Sequence, residues 1–233
     1  MILEKLHQQR RVTLEELQEI TDSSVSTIRR DLNELEAKKL LRRIHGGAEL
    51  PQDLMSELSM IEKSSKNVQE KNEIAQLAMK NIEEGDTIYL DAGTTTGAMI
   101  PLLKQSTLHL TIVTNSVTHA SNLIAEHLSV YILGGLIKKT TDSVTGARTL
   151  TQLSSYRFNS AFLGANAYNQ NIGAMTPDSE EAAVKAQAIR QSDESYILID
   201  SSKLSQTSFC RFAEPSEAQI LTENGWLSKP EHD

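Results

Sequence analysis

Small and hydroxyl-bearing residues sit at the ends of successive apolar runs in this sequence, a placement suited to gripping an anion. The plainest case is "DAGTTTGAMI", residues 91–100, which follows "TIYL". Gly93 lets backbone approach a ligand closely, and Thr94, Thr95 and Thr96 offer hydroxyl and amide donors at the start of a helix, where the dipole favours a phosphate. Two further apolar runs end alike, "LTIVTNS" in Thr114, Asn115 and Ser116, and "SVYILGG" in Gly134 and Gly135. Threonines also cap helices with no ligand present, so one such turn is weak, and it is the recurrence at three strand ends that favours a binding edge. "LIDSSK" adds Asp200 and, three residues on, Lys203, a cation for a phosphate or, paired with the carboxylate, a group for sugar hydroxyls. An ordinary surface lysine is the alternative. Glu181 and Lys185, spaced i,i+4, read as a helix-stabilising pair.

A second constellation lies in the first fifty residues. In "SVSTIRRDLNELEAKKL", Ser24 is placed to cap a helix whose Ile28, Leu32 and Leu35 share one face. That geometry turns Ser26, Arg30 and Asn33 outward, with Thr27 and Arg29 beside them. Arginine donates two hydrogen bonds to a guanine edge in a major groove, and serine and asparagine reach bases or phosphates. The stretch "LLRRIHGGAEL" is too short and glycine-rich for another helix and reads as two strands around Gly46 and Gly47, a wing that brings Arg42, Arg43 and His45 to the phosphate backbone. A merely solvated basic face is the bland reading of the same arginines.

These residues need elements to position them. "VTLEELQEI" opens with Thr13 three residues before Glu16, a reciprocal capping arrangement, and carries Leu14, Leu17 and Ile20 at helical spacing. Two short helices joined by a polar turn follow. Residues 51–70 read as a linker with some helix, in which Leu54, Leu58 and Ile61 are spaced to pack on the following domain or on a second subunit. Beyond it, helix-like and strand-like segments alternate through "KNEIAQLAMKNIEEG", "DTIYLDAG", "LTIVTNS", "SVYILGG", "NSAFLGA", "DSEEAAVKAQAIRQS" and "SYILID", the pattern of a parallel sheet with crossover helices. Such sheets bind ligands at the carboxyl ends of their strands.

Charge divides by region. The net charge is -8, yet residues 1–50 hold nine Lys/Arg and nine Asp/Glu, so the deficit lies in the remainder. Within residues 24–47, Arg29, Arg30, Lys38, Lys39, Arg42 and Arg43 outnumber the three acidic residues, a local basic patch rather than general stickiness. Cys210 is the only cysteine, which leaves no intrachain disulfide, and His109, His119 and His127 lack metal-ligand spacing. No apolar run reaches the ~18 residues of a membrane span, and the charges of "MILEKLHQQRR" are misplaced for a secretory signal. A cytoplasmic protein without cofactor or metal is expected.

The stretch "SVSTIRRDLNELEAKKLLRRIHGGAEL" resembles the winged helix-turn-helix of DeoR-type bacterial transcription regulators. The ordered run of "GDTIYLDAGTTT", "TNS", "LGG", "TPDSEEAAVK" and "LIDSSK" is similar to the sensor domain of the same family. The resemblance implies an N-terminal winged helix-turn-helix over residues 1–52, a linker over 53–70, and over 71–233 an open, mainly parallel α/β sheet domain of the ribose-5-phosphate isomerase-like type. It also implies double-stranded operator DNA and a phosphorylated sugar as partners, with a phosphate loop at Gly93 to Thr96, hydroxyl contacts around Asp91, Asn115 and Ser116, and Lys203 as the family's lysine. Fructose-operon repressors look most similar, which implies fructose 1-phosphate as effector. The related isomerases carry a "DGADE"-like cluster where this chain reads "LGANA", so Asn166 and Ala167 replace two carboxylates and no catalytic residue is assigned. An isomerase-like enzyme bearing a DNA-binding module is the alternative. So small a DNA-binding module implies a dimer or tetramer on repeated half-sites.

Overall fold

The computed structural model describes residues 1–9, 11–38, 40–49 and 54–228, except the side chains of His7, Gln8 and Ser228. Lys39 of the basic patch and the expected domain boundary at 52–53 lie outside the described residues. The chain divides into two compact units, Met1–Asp53 and Leu54–Asp233.

The first unit runs α1 (Ile2–Gln9), β1 (Arg11–Thr13), α2 (Leu14–Thr21), α3 (Val25–Ala37), β2 (Arg42–Ile44) and β3 (Gly47–Glu49). Thr13 and Glu16 form the expected reciprocal cap: the threonine hydroxyl accepts from the Glu16 amide at 3.1 Å, and the Glu16 carboxylate accepts from the Thr13 amide at 2.7 Å. Asp22, at φ 49°, ends α2 in the left-handed region, and Ser24 caps α3 by accepting from the Thr27 amide at 3.3 Å. Leu6, Leu17, Ile28 and Leu32 fill the small core with Val12, Leu41 and Ala48. Ile20, assigned by spacing to the same face, is instead exposed, and Leu35 is partly buried.

The wing has one strand more than expected. β1 pairs antiparallel with β3, giving the order β1-β3-β2. Both glycines of the hairpin are required. Gly46 has φ 80°, and a Cβ on Gly47 would stand 2.0 Å from the Val12 carbonyl oxygen across the β1 pairing.

The second unit begins with α4 (Met60–Ser64), α5 (Val68–Ala78), β4 (Thr87–Leu90), α6 (Thr94–Gly97), α7 (Ile100–Gln105), β5 (Leu110–Thr114), α8 (Val117–Asn122) and β6 (Leu128–Ile132). A hairpin of β7 (Leu136–Lys138) and β8 (Ser143–Thr145), then α9 (Ala147–Leu153), leads to β9 (Phe158–Gly164). There follow β10 (Ala167–Asn169), β11 (Gly173–Thr176), α10 (Ser179–Arg190), β12 (Ser192–Leu198), β13 (Cys210–Ala213), β14 (Gln219–Thr222) and β15 (Gly225–Ser228). The main sheet has the order β15-β14-β12-β9-β4-β5-β6 and is parallel except for β15.

Alternating residues of the central strands feed two apolar layers. Ile88, Leu90, Phe162 and Leu198 pack with α5 and α7, whereas Tyr89, Ala161, Leu163 and Ile197 pack with α9 and α10. The chain leaves β4 in one direction through β5 and β6, then returns to its other side with β9. The β4/β9 junction is therefore the topological switch point, the crevice where such sheets take ligands. Leu54, Leu58 and Ile61, expected to pack on the following domain or on a second subunit, are exposed in the single chain and so do not pack on that domain.

Candidate functional site

In the first unit every residue assigned to DNA contact is exposed: Ser24, Ser26, Thr27, Arg29, Arg30 and Asn33 on or before α3, and Arg42, Arg43 and His45 on the wing. Several already have protein partners. Ser24 Oγ bonds Ser26 and Thr27 side chains at 2.8 and 2.9 Å. Arg42 Nε donates to Glu49 at 2.7 Å and Arg11 donates to the same carboxylate at 2.9 Å. Hydrogen bonding from Arg11, with Arg42 adding to it, holds the Glu49 carboxyl below its usual range despite burial. Arg43 donates to Asn33 Oδ1, locking wing to helix. The outward edge thus rests mainly on Arg29, Arg30 and the exposed His45 at the wing tip.

In the second unit Asp91 closes β4 at the switch point and is 2% exposed. Its Oδ2 accepts from the Gly164 amide at 3.0 Å and from Lys185 Nζ, and Lys185 also donates to the Gly164 carbonyl at 2.9 Å. Lys185 and Glu181, read from sequence as a helix-stabilising pair, are both buried, and Lys185 reaches Asp91 in the crevice. Thr141 Oγ1 and Ser143 Oγ donate to Glu181 Oε1 at 2.5 and 2.9 Å, and Lys138 reaches it at 3.2 Å. Burial opposes ionisation of Glu181, but Lys185, Thr141, Lys138 and Ser143 outweigh it and hold the carboxyl below its usual range. The missed signal is in "TPDSEEAAVK". Asp178 caps α10, accepting from the Glu180 and Glu181 amides at 2.9 Å, which aims the first inward turn of that helix at the strand ends.

The threonine turn differs in detail from the expectation. α6 is a single four-residue turn, so its dipole is small, although its first amides cannot bond within it. The Thr96 hydroxyl donates to the Asp91 and Gly93 carbonyls at 2.6 and 3.0 Å, so it shapes the loop, and Thr95 is buried, leaving Thr94 the most open of the three. Asn115 Oδ1 accepts from the Ala92 amide at 2.9 Å, and Ser116 caps α8 while donating to Asp142 at 2.9 Å. Both are buried supports of the loop. Gly134 and Gly135 serve packing: the Gly134 amide donates to Gln152 at 2.8 Å, and a Cβ on Gly135 would stand 2.2 Å from Thr149 Oγ1.

Asp200 ends β12, two strands from Asp91. It accepts from Asn67 Nδ2 at 2.9 Å and from Ser202, and lies 3.7 Å from Lys203. Burial raises its carboxyl, but Lys203, Ser202, Asn67 and Lys71 together press it below the usual range. Lys203 shows the opposite balance. Although the side chain is 27% exposed, desolvation, with Lys63, Lys71 and Lys185 adding to it, drives the ammonium down to about 8 against the pull of Asp200. Lys71, which the sequence reading passed over, is buried on α5 with its Nζ donating to the Lys63 and Lys66 carbonyls, the latter at 2.6 Å.

Beside the turn lies a cavity of about 240 Å³, bounded by Thr94, Gly97, Lys71, His119 and, from α4, Met60 and Ser64. His119 is buried and its Nδ1 has no partner, while a Cβ on Gly97 would approach its Nε2 to 2.9 Å. Burial lowers the imidazole below its usual range, opposed by Asp91 and Asp142. Among the described residues no cluster of His, Cys, Asp and Glu is arranged to hold a metal, and no helix is long and apolar enough to cross a membrane. At the end of β9, Asn166 accepts from Thr176 Oγ1 at 3.2 Å, and Ala167 begins β10.

Comparison with known proteins agrees with both halves. Residues 1–53 match the DeoR-like helix-turn-helix domain, and residues 66–224 match the DeoR C terminal sensor domain. The chain is 43% identical over 222 residues to the protein named uncharacterized HTH-type transcriptional regulator FruR of Bacillus subtilis (strain 168), covering 95% of this chain and 88% of that one. It is 38% identical over 225 residues to a lactose phosphotransferase system repressor of Staphylococcus epidermidis, covering 94% and 88%. Among solved structures it is similar to ribose 5-phosphate isomerase A of Methanocaldococcus jannaschii, with a TM-score of 0.44 and 18% identity, covering 60% of this chain and 55% of that one. With a helix-turn-helix unit and a sensor unit each matched over most of its length, the chain belongs to the DeoR family of transcriptional regulators.

Proposed function

We propose that this protein represses a sugar-utilisation operon in the cytoplasm by binding double-stranded operator DNA through α3 and the wing, and that a phosphorylated sugar in the second unit relieves repression. The observation that carries the sensing half is that Lys71, Thr94 and His119, whose buried Nδ1 has no partner, line one cavity beside the turn after β4, with Lys185 on Asp91 and Lys203 beside Asp200 at the ends of β4 and β12. Cations and hydroxyl donors gathered at strand ends favour an anionic ligand, and a phosphate monoester supplies two negative charges and three acceptor oxygens. Asp91 and Asp200 add acceptors for sugar hydroxyls. The relative named as a lactose phosphotransferase system repressor supports a sugar phosphate, and fructose 1-phosphate is the first candidate.

Thermal shift with a panel of sugar phosphates tests the reading: one compound should raise the transition, its unphosphorylated parent should not, and a flat panel would refute it. Affinity should also fall above about pH 8, as Lys203 loses its proton in the free protein, and hold steady from there down to about pH 6, where the phosphate begins to gain one. Calorimetric titrations at pH 7 and pH 9 check the sign.

The DNA half gives its own expectation. Arg30→Ala should weaken the preferred site by about 1–3 kcal/mol if this arginine reads a base. Gel shifts on that site and on random DNA separate the roles, because equal loss on both would make it a phosphate contact. One small unit offers few base contacts, so the working form is an oligomer on repeated half-sites. The chain does no isomerase chemistry in this proposal: Asn166 and Ala167 follow β9, Asp91 is held by Lys185, and among the described residues these leave no unengaged carboxylate at that strand end for proton transfer between sugar carbons. Turnover of a pentose or hexose phosphate by the purified protein would contradict that.

A further inference from the structure

We propose that α4 is the element through which effector binding is relayed, and that the Lys71 ammonium is the contact an incoming phosphate takes away from it. The inference rests on the sugar-phosphate reading above and concerns how that site is read out. Residues 54–67 are the stretch of chain by which the second unit continues toward the DNA-binding residues. Within that stretch α4 forms one wall of the cavity, with Met60 and Ser64 opposite Thr94 and His119. Occupancy of the cavity therefore meets α4 directly.

Little apolar burial holds this stretch down. α4 is five residues long and buries none of them, Ile61 is 82% exposed, and Leu54 and Leu58 are exposed as well. Polar ties do the holding, and several of them end on the candidate site. The Lys71 ammonium takes the Lys63 and Lys66 carbonyls at the C-terminal end of α4. Asn67 donates to Asp200. Glu57, just before α4, pairs with Lys63 at 3.1 Å and with Lys138 at 2.5 Å, and Lys138 also holds Asp178 at 3.1 Å and Glu181 at 3.2 Å. The Met60 amide adds a bond to the Thr140 carbonyl at 3.1 Å.

A segment held by charge and hydrogen bonds, not by a packed face, opens at low free energy and is easily biased. A phosphate in the cavity is a stronger partner for Lys71 than two backbone carbonyls, because both members of the new contact are ionised. Taking the phosphate frees the end of α4. By linkage, whatever loosens α4 in the free protein must favour the anion.

Hydrogen–deuterium exchange on the full chain tests this, using fructose 1-phosphate, other sugar phosphates and inorganic phosphate as probes. At saturation with a binding probe, amides of residues 94–97 should slow while those of residues 60–66 exchange several-fold faster. Glu57→Gln, which weakens the ties to Lys63 and Lys138, should speed exchange in 60–66 before any ligand is added. Slowing at 94–97 with 60–66 unchanged or slowed, or a Glu57→Gln protein with unaltered exchange, would overturn the relay alone. Silence at both segments with every probe would overturn the sugar-phosphate reading and the relay with it.

Discussion

Lys185→Met is expected to lower the unfolding transition of the second unit by about 6–20 °C. The lysine is 6% exposed and is the charged partner of Asp91, itself 2% exposed, so its removal leaves a carboxylate in the β4/β9 crevice with only the Gly164 amide and no counter-ion. Removing one member of a buried ion pair costs about 3–5 kcal/mol, and each kcal/mol moves the transition of a domain this size by about 2–4 °C. Adding Asp91→Asn should recover part of the loss, and a double variant no better than the sum of the singles would contradict the pairing. Calorimetry that resolves the transition of the second unit from that of the first is the measurement.

Lys203→Met is expected to leave the fold intact and to weaken sugar-phosphate binding by about 10- to 150-fold, the range for losing one hydrogen bond to a charged group at about 1.5–3 kcal/mol. Its electrostatic position differs from that of Lys185. The folded protein disfavours the Lys203 charge, since burial and three other lysines drive the ammonium down to about 8. That unfavourable contribution is fully present below pH 8 and is relieved as pH rises from 8 toward the unfolded value near 10.4, because the unfolded state then binds more protons. The variant should therefore lose the rise in stability over that interval while losing ligand affinity at pH 7. Titration calorimetry with fructose 1-phosphate and unfolding curves at pH 7 and pH 10 check the two halves. A variant that binds the sugar phosphate as tightly as the parent would remove Lys203 from the site.

What was legible in the sequence was what local rules determine. The capping pair of Thr13 and Glu16, the Ile28 and Leu32 face, and the apolar runs that become β4, β5, β6, β9 and β12 follow from spacing alone. β1 was not legible, because three residues carry no period, and its existence depends on Gly47 admitting the Val12 carbonyl from elsewhere in the chain. Glu181 and Lys185 illustrate the same limit. Spacing i,i+4 fits an exposed pair equally well, and only the cap at Asp178 and the neighbouring strand ends turn them inward. Lys71 carries no local signal, since its role depends on carbonyls five and eight residues earlier meeting it across a turn. Gly134 and Gly135 show the converse, a pair read as backbone access for a ligand that α9 and β8 already occupy.

The central claim is that ligand in the crevice and DNA on α3 act on one equilibrium in opposite directions. Titrating the full-length protein with its sugar phosphate in the absence and in the presence of saturating operator DNA tests it most directly. Operator should weaken sugar-phosphate binding by the same factor by which the sugar phosphate weakens operator binding, typically about 5- to 150-fold. Equal sugar-phosphate affinity with and without operator would contradict the account.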